Sequence, residues 1–573
     1  MKNSPEYIPM SREEMKKLGW DRIDILLITG DAYIDHPSFG AALIGRLLLE
    51  EGYRVGIIAQ PEWQNPESVK ILGIPALACA VTSGNLDSMV NIYTAGRRFR
   101  RDDAYSPGGK TGKRPPHALT VYSQLLKRAF PGMPVVLGGI EASLRRVAHY
   151  DYWQDKIKPG VLVDSKADIL VYGMGERATV EIFRRISEKK SLRGIKGTAV
   201  LLGKNAASDF MAKEVSEYVQ LPSYDEHLNN RDAVMTSTVT VEREMNPYSG
   251  KGLYQLCGER LLVVESPALP LLPDEMDKVY SMPFSRMPHP SYREIIPAFE
   301  TVKDSVCAVR GCPGGCSFCG LVSHQGHFIS SRSHQSIIDE IKRLVKMKVF
   351  RGTVSDVGGA AGNIYGHGSF DKEKCKKCRR SSCLFPEKCP NYNAEENSLL
   401  QLLEKIERIE GVKHLFINSG LRLDLALLQK KQTRELIKKH ISGHLKVAPE
   451  HLHPEVLKLM RKNKADDFYE FLDFFYEESR RAGKEQYLVP LFISNFPGSS
   501  EKEMKVVDDF LNSQNWSPQQ VQDYIPLPMT MGAAMYYSGK SSDGKTISVN
   551  RGLKERRPQI NMLKKKRKRS FSK

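Results

Sequence analysis

Residues 307–320 read CAVRGCPGGCSFCG, a stretch that brings four cysteines together among glycine and proline. Neighbouring cysteines in a secreted protein usually form disulfides. The N-terminal sequence MKNSPEYIPMSREEMKKLGW has no apolar core before a small-residue cleavage site, and no apolar run approaches the roughly 18 residues of a membrane span. We therefore expect a cytoplasmic protein with no membrane partner, whose thiols stay reduced and bind metal.

Three of these cysteines, Cys312, Cys316 and Cys319, are spaced C-x3-C-x2-C on one short segment. Three thiolates can bind three irons of a [4Fe–4S] cluster and leave the fourth iron without a protein ligand. Structural zinc normally takes four protein ligands, often as two separated pairs, so this segment suits zinc poorly. The intervening glycines allow the backbone to wrap around a bulky cluster. Cys307 lies on the predicted preceding strand, and we leave it out of the ligand set.

Outward from the cysteines, strand-like runs alternate with helical segments from residue 300 onward. The strand-like runs are 304–309, 352–357, 414–418, 444–447, 487–493 and 521–525. Six βα repeats predict a partial (β/α)6 barrel, and such barrels carry their chemistry on the loops that follow the strands. The cysteine segment follows the first of these strands.

The N-terminal part of the chain has a second α/β pattern. The runs DILLITG (24–30), FGAALIGRLLLEEG (39–52) and YRVGIIAQP (53–61) predict a βαβ unit, and PVVLGG (134–139) and ADILVYGMGE (167–176) predict further buried strands. We expect a doubly wound parallel sheet. The glycine-rich ends of its strands form one ligand-binding edge, or they only permit tight turns.

These patterns divide the chain into four regions. The predicted regions are an N-terminal Rossmann-like domain at 1–221, a proline-rich connecting region at 222–297, a barrel domain at 298–540 and a basic tail at 541–573. The net charge is +18, and residues 564–569 form one basic run. The tail is either a solvated end or a contact for nucleic acid, because basic excess raises affinity for any polyanion. The segment RRFRRDDAYSPGGKTGKRPPH (97–117) predicts a long loop, and long loops often carry function.

The pattern C-x3-C-x-aromatic-C at the start of a six-unit barrel resembles the radical S-adenosylmethionine (SAM) superfamily. The resemblance implies that SAM chelates the open iron and is cleaved reductively to a 5′-deoxyadenosyl radical, which takes hydrogen from a substrate. It implies a reductase or flavodoxin-type electron donor and no particular substrate. Long stretches narrow the resemblance to YgiQ-type radical SAM proteins, among them GNLDSMVNIYTAG, GGIEASLRRVAHYDYW, HQGHFISSRS and VQDYIPLP. Residues 360–362 depart from that pattern, reading AAG where PTA is expected.

Other segments resemble the SAM-binding elements of the superfamily. The resemblance implies that VSDVGGAAGN (354–363) meets the methionine amino group through Gly358 and Gly359, and that LKVAPEH (445–451) contacts the ribose through Glu450. Residues 492–498 and 523–526 are implied to approach adenine, mainly through main chain. Asn495 and Pro526 are the candidates there.

A second cysteine segment, CKKCRRSSCLFPEKC, places Cys375, Cys378, Cys383 and Cys389 as an insertion at 375–389 after the second barrel strand. Four thiols at this spacing are typical of a metal site. Zinc, an additional iron–sulfur cluster and free thiols are the three alternatives.

The N-terminal sheet resembles the cobalamin-binding domains that precede some radical SAM barrels. Those domains use Asp-x-His-x-x-Gly, whereas here Asp35, His36 and Gly40 place the histidine one position early. A shifted histidine is aimed differently, so we do not expect bound cobalamin. A charged set after Gly138–Gly139 either faces a substrate or forms a salt-bridged helix start: Glu141, Arg145, Arg146, His149 and Asp151.

Two functional hypotheses follow from these residues. The first is a radical SAM enzyme of unknown substrate. The second is a basic RNA-binding or RNA/ribosome-modifying protein in which the metal centres are mainly structural.

Overall fold

The computed structural model describes residues 5–395, 397–518 and 520–567 and contains two compact units. The first unit runs through Leu271 and also includes Lys278–Lys303 and Ser323–Gly326. The second unit includes Leu272–Asp277, Asp304–Val322 and the chain from His327 onward. Among the described residues, no helix has the length and apolar character needed to cross a bilayer.

The first unit is built on one large sheet. Its strands, with the two of a separate hairpin (β5 and β6), are β1 (Ile25–Thr29), β2 (Val55–Ala59), β3 (Ala78–Thr82), β4 (Val135–Gly138), β5 (His149–Asp151), β6 (Lys156–Lys158), β7 (Ile169–Val171), β8 (Thr198–Leu202), β9 (Tyr218–Gln220), β10 (Gly252–Cys257) and β11 (Arg260–Val264).

The sheet order is β2-β1-β3-β4-β7-β8-β11-β10-β9. The strands from β2 to β7 in this order are parallel, as predicted, and β1 is buried at every position, as expected of a central parallel strand covered on both faces. The sheet continues beyond β7 with antiparallel pairs, in which β7 pairs with β8, β8 with β11, and β11 with β10.

The prediction that residues 222–297 form only a connecting region is wrong for the central part of that region. Strands β10 and β11 lie there, and they extend the N-terminal sheet as an antiparallel hairpin. Their turn contains Gly258 at φ 62°, and a glycine of positive φ between two apolar runs is a hairpin signal. The flanking prolines concealed that signal in the sequence.

Helices cover the sheet and connect its strands. From the N-terminus to residue 302 they are α1 (Arg12–Lys17), α2 (Gly40–Glu50), α3 (Ser88–Ile92), α4 (Ala118–Ala129), α5 (Ile140–Leu144), α6 (Val161–Ser165), α7 (Glu176–Ser187), α8 (Lys204–Lys213), α9 (Tyr224–Asn229), α10 (Asp232–Arg243), α11 (Pro273–Ser281) and α12 (Pro297–Val302).

The second unit contains the predicted barrel strands. Its strands are β12 (Ser305–Cys307), β13 (Val309–Arg310), β14 (Ser330–Ser331), β15 (Thr353–Val354), β16 (Asp356–Gly358), β17 (Gly368–Ser369), β18 (Tyr392–Asn393), β19 (His414–Leu415), β20 (His444–Glu450), β21 (Tyr487–Ser494) and β22 (Val521–Asp523).

Parallel pairing follows chain order through this unit. β12 pairs with β16, β15 with β19, Leu421 with Val447, β20 with β21, and β21 with β22. Six consecutive parallel positions confirm the α/β fold with a partial barrel. Their carboxyl ends therefore meet at one rim, where the chemistry of such barrels is located.

The chain from residue 321 onward also contains helices, most of which bury apolar residues. They are α13 (Leu321–Gln325), α14 (His334–Val345), α15 (Lys372–Lys376), α16 (Asn397–Glu407), α17 (Leu423–Leu428), α18 (Lys430–Glu435), α19 (Pro454–Met460), α20 (Ala465–Arg481), α21 (Glu501–Ser513), α22 (Met531–Ser538) and α23 (Leu553–Lys564). The predicted capping box of Ser500 and Glu503 starts α21.

The basic tail predicted at 541–573 is partly a packed element. Helix α23 buries Leu563, and Gln559 accepts a hydrogen bond from the Asn495 amide at 2.7 Å. Arg567, within the basic run, forms an ion pair of 2.5 Å with Asp508. Residues 568–573 lie outside the described part of the chain, so nucleic-acid binding by the tail stays a prediction.

Candidate functional site

The three-cysteine loop, residues 311–320, leaves the first barrel strand at its carboxyl end. Burial, and then the neighbouring Cys316 thiol, raise the pKa of Cys312. The same two causes raise the pKa of Cys319 to about 12. The thiols thus lie within electrostatic reach of one another.

Main-chain contacts fix this loop. The Ser317 amide donates to the Met460 carbonyl at 3.0 Å, and its hydroxyl donates to the Leu459 carbonyl at 2.6 Å. A Cβ on Gly314 would overlap the Arg422 guanidinium, and one on Gly315 would overlap the Ser381 carbonyl. Glycine is therefore required by close packing on both sides of the loop.

Arg422 is a site residue that the sequence analysis missed. Its Nη1 lies 3.9 Å from the Cys316 sulfur, while its Nη2 is paired with Asp424 at 2.7 Å. Asn363 holds the Arg422 backbone, accepting from its amide and donating to its carbonyl, both at 3.0 Å. The available signal was NSGLRLD, a polar run directly after the third barrel strand. This arrangement fixes a cation beside the cysteine sulfurs.

The predicted glycine turn lies next to the strand that leads into the cysteine loop. Gly358 ends β16, and its carbonyl accepts a hydrogen bond of 2.8 Å from the Ala308 amide. A Cβ on Gly359 would overlap the Val309 carbonyl, so the two backbones approach too closely for a side chain. Main-chain groups are what this turn can offer a ligand.

Glu450 ends β20 in a strained and buried position. Its φ is 66°, the residue is 7% exposed, and its Oε2 has no hydrogen-bond partner among the described residues. The Lys462 ammonium lies 4.0 Å from Oε1. Burial raises the pKa of Glu450, and its charge in turn raises that of Cys319, so the two side chains share one site. A buried carboxylate oxygen without a partner fits a ligand that donates hydrogen bonds.

The remaining two predicted SAM contacts have different surroundings. Asn495 lies at φ 60° after β21, and its amide nitrogen already donates to Asp523 at 2.8 Å and to the Arg556 carbonyl at 3.0 Å. Its side chain therefore holds the loop, and its backbone amide is engaged as well, since it donates to Gln559 at 2.7 Å. Pro526 is buried beyond β22.

The four-cysteine segment, residues 375–389, packs directly on the three-cysteine loop. The Cys383 amide donates to the Pro313 carbonyl at 2.9 Å, and the Ser382 hydroxyl donates to the Gly314 carbonyl at 2.6 Å. Burial and then the other three thiols raise the pKa of Cys383 to about 12. Among the thiols, Cys375 has the largest effect.

In neither cysteine segment, as far as the structure describes them, do three His, Cys, Asp or Glu side chains converge on a single metal ion. Tetrahedral zinc requires such convergence. The geometry thus gives no support for the predicted second metal, and it gives none for zinc at the three-cysteine loop.

The predicted charged set of the first unit is buried and paired. Arg145 bonds Asp87 at 2.7 Å and Asp151 at 3.0 Å, and Glu141 accepts from the Ser88 amide at 2.8 Å. His149 and Arg146 are buried as well. These contacts support the salt-bridged interpretation of this segment over a substrate-facing one.

Asp35 and His36 also have structural surroundings. Asp35 forms a buried ion pair with Arg46, and His36 Nδ1 accepts from the Ser38 amide at 3.1 Å. Burial, assisted by Arg286, lowers the pKa of His36 well below its usual value, so the ring is neutral. Its Nδ1 is thus engaged, whereas its buried Nε2 has no hydrogen-bond partner among the described residues.

Two family models match the chain consecutively. Residues 7–305 match the radical SAM N-terminal family and residues 306–511 match the radical SAM superfamily. A UPF0313 protein of Thermotoga neapolitana is 45% identical over 563 residues, covering 96% of this chain and 97% of that protein. A UPF0313 protein of Rhodopseudomonas palustris is 42% identical over 576 residues, covering 96% of this chain and 85% of that protein.

A solved structure shares the fold. It is the radical SAM methyltransferase TsrM from Kitasatospora setae with cobalamin and a [4Fe-4S] cluster bound, which superposes with a TM-score of 0.52 at 13% identity and covers 89% of this chain and 77% of that chain.

Proposed function

The chain belongs to the UPF0313 family of the radical SAM superfamily, and on that premise we propose that Cys312, Cys316 and Cys319 hold the [4Fe–4S] cluster that binds SAM. The resemblance seen in the cysteine spacing is confirmed, and the protein is a radical SAM enzyme. Its substrate is not identified by the family.

The observation that carries the ligand assignment is the glycine-rich loop at the barrel rim, which presents three cysteines on one short segment. The Cys316 sulfur lies 3.9 Å from the Arg422 guanidinium, and Glu450, whose Oε2 has no hydrogen-bond partner among the described residues, acts on the pKa of Cys319. Thiolate donors on a loop with main-chain amides nearby fit an iron–sulfur cluster. When bound, the cluster supplies an electron that splits SAM and yields the 5′-deoxyadenosyl radical.

The protein groups around that site have separate tasks. Arg422 places positive charge next to Cys316 and so favours negative charge on the sulfurs. Glu450 accepts hydrogen bonds from donors such as ribose hydroxyls, and the Gly358–Gly359 turn offers main-chain groups. Phe318 packs edge-on against Phe496 at 6.3 Å between ring centroids and helps to exclude water. Asn495 holds the loop after β21, and Pro526 lines the rim through main chain.

A second metal at Cys375, Cys378, Cys383 and Cys389 remains part of the proposal. Its support is that the other three thiols of the segment all raise the pKa of Cys383, which places each of them within electrostatic reach of that thiol. Zinc and a second cluster remain the two candidates. Metal analysis of a Cys316→Ala variant distinguishes them, because the metal that is left belongs to this segment.

Cobalt ligation by a histidine is not part of the proposal. TsrM contains cobalamin, but in this chain the histidine stands one position early in the motif and its Nδ1 is held by the Ser38 amide. Unchanged absorption of hydroxocobalamin on addition of the protein is the expected result.

A reductase or flavodoxin-type donor supplies the electron to the cluster in this proposal.

The decisive experiment is an assay for 5′-deoxyadenosine after anaerobic reconstitution and reduction with SAM. We expect product from the native chain and from Cys307→Ala, and none from Cys316→Ala. Cys307 is the matched control because its sulfur donates to the Val309 carbonyl on the strand before the loop. Equal turnover in the two variants would exclude the proposed ligand set.

A further inference from the structure

The segment Ala95–Arg101 forms a rigid hairpin in the first unit, within and just before the loop that the sequence predicted at 97–117. The Thr94 amide donates to the Arg98 carbonyl at 2.8 Å, and the Arg100 amide donates to the Ile92 carbonyl at 2.8 Å. A β-bridge joins Tyr93 to Phe99. The tip is further tied down by the Tyr152 hydroxyl, which donates to the Ala95 carbonyl at 2.6 Å. The side chains of this hairpin are thus held in place before any partner binds.

Phe99 stands out because it is 70% exposed. Its ring lies 4.8 Å from the Tyr93 ring with an interplanar angle of 33°. Tyr93 in turn packs near Trp153, at 6.5 Å, and Trp153 meets the buried Tyr152 edge-on at 5.7 Å. We call these four aromatic side chains the Phe99 platform. A layered aromatic base supports Phe99 from the protein side, while much of its surface faces solvent.

Arginines flank Phe99 along the chain. The sequence at 97–101 is RRFRR, and Arg98 and Arg101 are exposed with no acidic partner among the described residues. Arg97 lies over the Tyr152 ring at 4.6 Å and is only loosely paired with Asp155, at 3.9 Å.

Two acidic residues lie near these arginines in space or in sequence and offset part of their charge. Asp155 pairs loosely with Arg97 and accepts from the Tyr150 hydroxyl at 2.5 Å, and Asp102 is exposed and follows Arg101 in the sequence. Lys156, at the base of the β5–β6 hairpin whose turn carries Trp153, is exposed as well. The surface therefore combines a flat aromatic face with an excess of cations.

We propose that the Phe99 platform and its flanking arginines bind single-stranded RNA, with one base stacked on Phe99 and neighbouring phosphates held by Arg98 and Arg101. Aromatic side chains that stack bases, set among cations that follow the backbone, are the means by which proteins bind single strands. The rigid hairpin lowers the entropic cost of binding. This inference concerns a surface of the first unit and does not rest on the proposed cluster chemistry.

Other occupants fit this surface less well. A membrane interface needs several exposed apolar side chains. Between residues 75 and 210 of the described chain, Phe99 is the single large apolar side chain that is exposed. An acidic peptide would use the arginines but would leave the aromatic face without a flat partner. The test separates these possibilities by comparing the ring with the charges.

The experiment measures fluorescence anisotropy of a labelled single-stranded 12-mer of mixed RNA sequence with the full-length chain, as a function of salt. Phe99→Ala is expected to weaken binding at least about fivefold, the lower end of the loss of one stacked base, whereas Phe99→Trp keeps it. Ile74→Ala, which also removes an exposed apolar side chain in this unit, is the matched control and leaves binding unchanged.

Charge is tested by a pair of double variants with the same net charge. Arg98→Glu with Arg101→Glu is expected to reduce the slope of log K against log salt by about 1.4, for two lost phosphate contacts. Arg128→Glu with Arg260→Glu alters exposed arginines elsewhere in the same unit and leaves the slope nearly unchanged.

Three results would overturn the proposal. They are no binding of the 12-mer at low salt, binding that does not depend on Phe99, or equal loss in the two double variants. If inorganic polyphosphate displaces the RNA equally from native chain and Phe99→Ala, the arginines attract any polyanion and the stacking role is wrong. Thermal melting by circular dichroism checks that each variant is folded.

Discussion

The two cysteine segments of the second unit contain the same ligand type in different surroundings. The three-cysteine loop has a guanidinium 3.9 Å from one sulfur and a buried carboxylate oxygen without a partner nearby. In the four-cysteine segment, Asn391 donates to Cys375 at 3.2 Å and the Arg380 amide donates to Cys378 at 3.4 Å. A guanidinium close to sulfur, together with an unsatisfied acceptor for a second ligand, supports the proposal that the three-cysteine loop is the reactive segment and the four-cysteine segment the supporting one.

The strongest test of this comparison exchanges one cysteine in each segment. Cys312→Ser is expected to abolish formation of 5′-deoxyadenosine, by at least about a thousandfold, because an iron loses its thiolate. Cys378→Ser is expected to keep most of the activity and the cluster spectrum. Both are measured on anaerobically reconstituted protein with iron and sulfide counted. If Cys378→Ser lost the activity to the same extent, the two segments would form one functional centre.

The next largest effect concerns Arg422. We expect Arg422→Gln to slow SAM cleavage roughly ten- to a hundredfold, because a buried cation next to the sulfurs stabilises the more negative, reduced cluster. Arg422→Lys is expected to fall between, since lysine keeps the charge and loses the two-pronged contact with Asp424.

The direct measurement for Arg422 is a potentiometric titration followed by electron paramagnetic resonance, in which Arg422→Gln lowers the cluster potential. Arg434→Gln is the control, because that arginine pairs with Glu478 at 3.0 Å away from the cysteines. An unchanged potential in Arg422→Gln would show that the guanidinium acts on the loop structure alone.

The cysteines and Arg422, on which these two tests depend, differ in how well the sequence alone identifies them. Cysteine spacing and βα alternation are local patterns, so the sequence singles out the three cysteines proposed as cluster ligands and predicts the barrel strands. Arg422 acquires its role only because chain folding brings it to Cys316, 106 positions earlier. The hairpin of β10 and β11 was missed because short strands between prolines carry little periodic signal. The packing of α23 was missed because its basic composition indicates solvent exposure.

Glu450 provides a smaller, more specific test of the reactive segment. Glu450→Gln keeps the shape and removes the negative charge, so we expect KM for SAM to rise about tenfold with kcat little changed, as for a group that binds ground state and transition state alike. Glu455→Gln is the control, because Glu455 is exposed on α19. A fall in kcat with unchanged KM would instead assign Glu450 a role in the chemical step.

The smallest effect tests whether the four-cysteine segment supports the loop mechanically. The Ser382 hydroxyl donates to the Gly314 carbonyl at 2.6 Å and accepts from the Leu384 and Phe385 amides at 3.0 and 2.9 Å. Ser382→Ala leaves these buried groups unpaired, which costs about 1–3 kcal/mol and lowers Tm by several degrees.

The informative readout for Ser382→Ala is the rate at which the reconstituted cluster loses iron to a chelator. We expect that rate to increase severalfold while the cluster potential stays constant, because no charge near sulfur has changed. Ser208→Ala, which removes a hydroxyl from the exposed face of α8, leaves both unchanged. A shifted potential in Ser382→Ala would mean that the supporting segment also determines the electrostatics of the reactive one, and the distinction between them would then be one of degree.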